Sequence, residues 1–249
     1  MRDLFRGLRS IGTAIGMIVR EPRVRRLAIA PLAINVVLVL VGLPLLIWWG
    51  VSIGGSLFTG DEAWAGPLRL VVGAVVAIVV SIVGLLALLV LARIAAAPLM
   101  SRLSEAVEQA VLGDRYVPRQ TTLRDDVVDV GRGALFALGR LVLFVVVYPL
   151  VLATGLIPGA GPILAPLATV LYGALVLSLD FSEPVFERHL PGFRRRLRHV
   201  VSRPMLYLGF GGASMAMALV PFANLAVLPV CVAAATIVFL DERSTDRRL

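Results

Sequence analysis

Residues 141–179, LVLFVVVYPLVLATGLIPGAGPILAPLATVLYGALVLSL, run for 39 positions without one charged side chain. As a single helix, at about 1.5 Å per residue, they would reach about 58 Å, nearly twice the roughly 30 Å thickness of a bilayer's hydrocarbon core. The stretch is too apolar for a soluble fold and too long for one crossing. Ile157-Pro158-Gly159-Ala160-Gly161-Pro162 concentrates helix breakers at its middle, so the run predicts a helical hairpin over 134–179 that folds back at those residues.

Three further uncharged runs share this character, at 27–60, 70–92 and 204–240. The last breaks at Pro221-Phe222-Ala223-Asn224 into arms of about 16 residues, each shorter than the roughly 20 that a span needs, and predicts a second hairpin, fully spanning or re-entrant. The segments 27–53 and 67–92 are each long enough for a transmembrane helix. The fold class predicted is therefore all-α: a polytopic helical membrane protein with two full transmembrane helices, two membrane-inserted helical hairpins and amphipathic interfacial helices. With 59% apolar residues and mean hydropathy +0.92, the chain exceeds the roughly 45–50% of soluble domains. The apolar runs leave no room for a separate soluble domain, so 1–249 reads as one membrane domain.

Charge supplies the topology. All 24 basic residues are Arg, and the formal net charge is +8; either base composition or selection for bidentate anion recognition accounts for the absence of Lys. The arginines flank apolar segments instead of interleaving with aromatics, which argues against nucleic acid. If each hairpin enters and returns on one side, then 1–26, 93–140, 180–203 and 241–249 all share the Arg-rich face, as the positive-inside rule prefers, and only 54–69, with Asp61 and Glu62, lies opposite. On this reading 93–132 is a cytoplasmic helical segment, 180–203 a basic cytoplasmic segment and 241–249 a tail. Within 93–132, Leu99, Leu103, Val107 and Val111 recur at steps of four with Glu105 and Glu108 between them, and Gly113 is a C-cap candidate.

The first 26 residues comprise an amphipathic helix and a basic helix start. Leu4, Leu8, Ile11, Ile15 and Ile18 alternate with Arg2, Arg6 and Arg9, the pattern of a helix lying in the membrane interface. The first long apolar segment exceeds a signal-peptide core, so it is expected to stay in the mature protein. A lone Cys231 inside an apolar run excludes a disulfide framework and a thiol-rich metal site, and no metal or cofactor is expected. His189, His199, Ser214, Asp180 and Glu183 form no HExxH or GxSxG pattern, so the chain is not expected to be an enzyme. Gly209, Gly211 and Gly212 read as sites of close helix packing.

Glu21-Pro22-Arg23-Val24-Arg25-Arg26 opens directly into the first membrane segment. Proline suits a first helical turn, and the N–H groups after it lack intrahelical partners. Together with the helix dipole and the guanidinium groups they suit sulfate, phosphate or a carboxylate; the same cluster also serves as a cytoplasmic positive anchor. Asn35 and Asn224 either line an anion route or satisfy backbone groups freed by Pro31 and Pro221, and Arg140 either stands on that route or snorkels to the interface. Arg194-Arg195-Arg196-Leu197-Arg198 either marks the inside face, meets anionic lipid headgroups or concentrates anions at a mouth.

Taken in order, several stretches resemble the CysZ-type sulfate permeases of the etoposide-induced protein 2.4 superfamily: Pro22 with Val24-Arg25-Arg26, Ala30-Pro31-Leu32 up to Asn35, Ile94-Ala95-Ala96-Ala97-Pro98-Leu99, Ile157-Pro158-Gly159, Gly209-Phe210-Gly211, Pro221 to Asn224, Pro229, and Ala235-Thr236. The resemblance covers most of the chain. It implies a multi-pass bacterial inner-membrane protein that takes up sulfate or a related oxyanion for cysteine synthesis, lies among membrane lipids, and assembles as a homo-oligomer. It also implies an anion held by backbone amides and paired arginine at positions corresponding to Val24, Arg25 and Arg26. Arg23 departs from the pattern, where a related permease often has Gly, and either crowds the anion or adds a donor. The alternative is a non-transporting scaffold that binds lipids or partner proteins through its basic face.

Overall fold

The computed structural model describes residues 2–56, 65–117, 123–190, 192–220 and 224–246. Asp61, Glu62, most of the Pro221–Asn224 turn and the side chains of Asn35 and Asn224 lie outside those described. Among the described residues every regular element is helical: α1 (Arg2–Arg20), α2 (Pro22–Val37), a π-helical turn (Leu38–Gly42), α3 (Leu43–Ser56), α4 (Ala65–Leu112), α5 (Leu123–Ala153), α6 (Gly161–Phe181), α7 (Glu183–His189), α8 (Phe193–Ser202), α9 (Pro204–Ala218) and α10 (Asn224–Asp246). Val71–Leu88, Leu135–Leu156 and Gly161–Phe181 are each long and apolar enough to cross a membrane, and the chain is an all-α polytopic membrane protein.

The chain forms two compact units, Met1–Ala28 with Met100–Leu249, and Ile29–Leu99. In the second, α3 and the first part of α4 fit through their glycines. A Cβ on Gly50 would lie 3.0 Å from the Ala77 carbonyl, while the Leu46 and Leu88 side chains close on Gly84 and Gly42. Outward from these seams Leu40, Trp48, Trp49, Ile78 and Val83 stay exposed, an apolar surface that only lipid would cover at this extent. The π turn falls inside the expected 27–53 span, and the apolar helix there is the short Leu40–Gly50.

In the first unit α5 and α6 form the expected hairpin. α5 ends at Ala153, a 3₁₀ turn covers Thr154–Leu156, and α6 restarts at Gly161 with Pro162 in its first turn. Gly159 takes φ +78°, open to glycine but costly to other residues, and the Gly161 N–H donates to the Ile157 carbonyl at 2.8 Å. At 22 and 21 residues the apolar arms measure about 33 and 32 Å, enough for a full crossing by length.

The second hairpin, α9 with α10, is the buried core of this unit. α10 buries Val230, Cys231, Val232, Ala233, Ala234, Ala235, Val238 and Phe239. α9 threads between α1 and α6 where side chains are absent: a Cβ on Gly209 would lie 2.2 Å from the Leu4 carbonyl of α1, and one on Gly211 only 1.9 Å from the Ala174 carbonyl of α6. α1 meets α9 with its small face, Gly7, Ser10, Ile11 and Ala14, leaving Phe5, Leu8, Ile15 and Val19 exposed. That division suits a helix fixed to the protein on one side and to the membrane interface on the other.

The segment 180–203 folds as two short helices, α7 and α8, turned at Gly192. One of its arginines is not solvated at all. Arg196 is 2% exposed, donates Nε–H to the Leu190 carbonyl at 3.0 Å and lies 4.9 Å over the Phe136 ring. The α-helical period of α8 turns this one guanidinium inward, while Arg194, Arg195 and Arg198 stay exposed.

Candidate anion site

Glu21 is the single break between α1 and α2. Its N–H closes the last turn of α1 on the Met17 carbonyl, and its own carbonyl accepts the first intrahelical bond of α2 from the Arg25 N–H, both at 2.9 Å. Pro22 has no N–H. The amides that precede the first helical bond are therefore those of Arg23 and Val24, at the positive end of the helix dipole, while the Arg25 amide is spent inside the helix. Val24 itself is buried, and its side chain pins the helix start into the first unit.

The residues of the arginine cluster take different positions once folded. Arg23 and Arg26 line a cavity of about 640 Å³ with Pro22 and Leu27 of α2 and with Arg102, Glu105 and Ala106 of α4. Arg23, Arg25 and Arg26 are all exposed, and of the three only Arg25 does not line it. Arg23 crosses toward α4, donating Nη1–H to Gln109 Oε1 at 2.6 Å. Glu105, the one carboxylate in the lining, accepts the Tyr116 hydroxyl at 2.5 Å. Burial and that carboxylate push Tyr116 up to about 12, so it donates at any physiological pH. Three guanidiniums and one carboxylate thus line the cavity, a net positive lining that favours anions over cations.

Sequence reasoning missed Arg102, Gln109 and Tyr116. The Arg23–Gln109 bond joins residues 86 apart, and no local spacing encodes such a meeting. The signal within reach was the α4 period: Arg102, Glu105, Ala106 and Gln109 fall on one helical stripe.

The remaining expected positions lie elsewhere. Arg140 pairs with Asp180 across the open end of the α5–α6 hairpin at 2.8 Å, which makes it a staple between two helices. Nothing is described of the Asn35 and Asn224 side chains; Asn35 lies in α2 and Asn224 begins α10. Both histidines are tied into buried ion networks. His189 Nε2 meets Glu108 Oε1 at 2.9 Å and Arg188 reaches Glu108 Oε2 at 3.2 Å; His199 lies 2.9 Å and Arg203 3.0 Å from Glu242.

Compared with known proteins, the chain matches a family model described as sulfate transporter CysZ/etoposide-induced protein 2.4 over residues 10–229. The proteins named sulfate transporter CysZ from Salmonella paratyphi A, Salmonella enteritidis PT4 and Salmonella typhi are each similar to it. Each is 26% identical over 242 residues, covering 90% of this chain and 88% of the relative. These relatives are named as transporters.

Proposed function

This chain belongs to the sulfate transporter CysZ/etoposide-induced protein 2.4 family, and from that premise we propose that it is a permease that takes sulfate across the bacterial inner membrane for sulfur assimilation and cysteine synthesis. The observation that carries the reading is the convergence of Arg23 and Arg26 on a cavity beside the open start of α2. The Arg23 and Val24 amides and the two guanidiniums hold the dianion, because a guanidinium fork matches two oxyanion oxygens and the helix start adds unpaired N–H donors. Arg25, outside the cavity lining, gathers anions toward the mouth. No chemistry is asked of the protein, so it needs no cofactor; it works as a homo-oligomer within membrane lipid.

Labelled sulfate flux into liposomes carrying the purified full-length protein tests this. Flux well above that of empty vesicles is expected, together with its loss in Arg25→Ala plus Arg26→Ala at unchanged insertion. Undiminished uptake by the double variant would overturn the site. Wild-type flux no greater than that of empty vesicles would replace transport with a scaffold that binds lipids or partner proteins.

A further inference from the structure

The face that α4 turns to the cavity belongs to a helix held rigidly from behind. One stripe of side chains over two turns, Met100, Leu103, Ser104, Val107 and Glu108, is buried in the first unit. Ser104 meets Thr236 of α10 at 2.8 Å, and Arg188 of α7 bonds to the Ser101 carbonyl, Ser104 Oγ and Glu108. The adjacent stripe, Arg102, Glu105, Ala106 and Gln109, therefore stands in a fixed position opposite the α2 start. Rigid support of this kind is what a binding wall requires, since a side chain already positioned loses less freedom when the ligand arrives.

Charge then says what the wall is for. Arg102 adds a guanidinium to a cavity already lined by Arg23 and Arg26, and the one lining carboxylate, Glu105, is engaged by Tyr116. Like charges gathered from two separate helices repel, and an anion bound among them offsets that repulsion. Arg23, exposed and on a long flexible stem at the helix start, is held toward α4 by its 2.6 Å bond to Gln109.

We propose that α4 forms the second wall of the anion site, with Arg102 a direct third guanidinium ligand to a tetrahedral, doubly charged oxyanion and Gln109 a positioning residue that holds Arg23 over the cavity. This rests on the sulfate reading above. Removing Arg102 removes one charge-assisted contact. Removing Gln109 removes no ligand but releases the Arg23 side chain from α4, so affinity falls while the rate at saturation does not.

Sulfate binding to the purified full-length protein in detergent, with flux in liposomes, tests the assignment on Arg26→Ala, Arg102→Ala, Arg102→Gln and Gln109→Leu. Arg102→Ala and Arg102→Gln are each expected to bind sulfate roughly 10- to 100-fold more weakly, at a thermal midpoint close to wild type because Arg102 is exposed. The paired variants guard against a fault peculiar to either. Gln109→Leu is expected to raise the half-saturating sulfate concentration several-fold at unchanged maximal flux, and to have no further effect in an Arg23→Ala background, a coupling that a merely structural role for Gln109 would not show. Wild-type sulfate affinity in both Arg102 variants, alongside lost binding in Arg26→Ala, overturns the α4 wall alone. Unchanged binding in Arg26→Ala overturns the sulfate site on which it rests. Additive effects of Gln109→Leu and Arg23→Ala overturn the positioning role.

Discussion

Gly211 and Gly212 are neighbours on α9 whose surroundings could hardly differ more. A Cβ on Gly211 would stand 1.9 Å from a backbone carbonyl of α6, whereas one on Gly212 would meet nothing within 4 Å. Backbone cannot step aside as a flexible side chain can, so Gly211→Ala is expected to push α9 off α6 and destabilise the protein by about 1–3 kcal/mol. Gly212→Ala should be neutral or stabilising by up to about 1 kcal/mol, because alanine is the better helix former where nothing is crowded. Thermal unfolding of the two variants in one detergent checks the opposite signs; equal midpoints would show that the helices are not seated at Gly211. The sequence marks both residues as packing glycines, and the period of α9 about its neighbours separates them. Arg23 poses the same problem with a charge: the alternatives of crowding and donating are both open in the sequence, and the bond to Gln109 supplies the direction that a residue type lacks.

At the scale of elements, the breaks were legible and the meetings were not. Proline and glycine at 157–162 announce the α5–α6 turn because backbone chemistry there is local, and the apolar lengths announce the hairpin arms. The periodicity of 99–112 likewise yields the last turns of α4, closed by Gly113 at φ +54°. What fails is the inference from charge to exposure. Glu108, read as part of a polar face, is 6% exposed because α7 brings Arg188 and His189 to it from 80 and 81 residues away. Burial alone would raise its carboxyl; the His189 hydrogen bond, with the charges of His189, Arg188 and Arg243, outweighs that and holds it below the usual carboxylate range. Glu108→Leu strands the largely buried Arg188 without its counter-charge and is expected to cost about 3–5 kcal/mol. Glu108→Leu with Arg188→Leu should recover much of the loss, since no unpaired charge then remains. A double variant no more stable than Glu108→Leu alone would mean that the pair does not join α4 to α7.

For the molecule as a whole, two glutamates outside the membrane spans pull the stability–pH curve in opposite directions. Glu108, with its folded carboxyl held low, contributes stability that is present above about pH 4.5 and is lost as pH falls through its depressed folded value. Glu183 works the other way. Burial pushes it up to about 7, against the lowering influence of Arg196 and Arg140, while its unfolded value stays near 4.5. Between those values the folded chain holds a proton that the unfolded chain has released, so Glu183 subtracts stability progressively as pH rises from about 4.5 to 7, and by a constant amount above. Allowing for its partial access to solvent, the subtraction is roughly 2 kcal/mol. Glu183→Gln keeps the shape and discards the titration. The variant is expected to match wild type near pH 4.5 and to unfold a few degrees higher at pH 8, measured as thermal midpoints across that range in one detergent. Parallel curves, with no gap opening between pH 4.5 and 7, would mean that Glu183 is solvated like any surface carboxylate. A gap of the expected sign would show that the protein keeps a destabilising buried carboxyl beside the Arg140–Asp180 staple at working pH, which stability alone does not favour, and so would turn attention to the open end of the α5–α6 hairpin as a place where protonation is used.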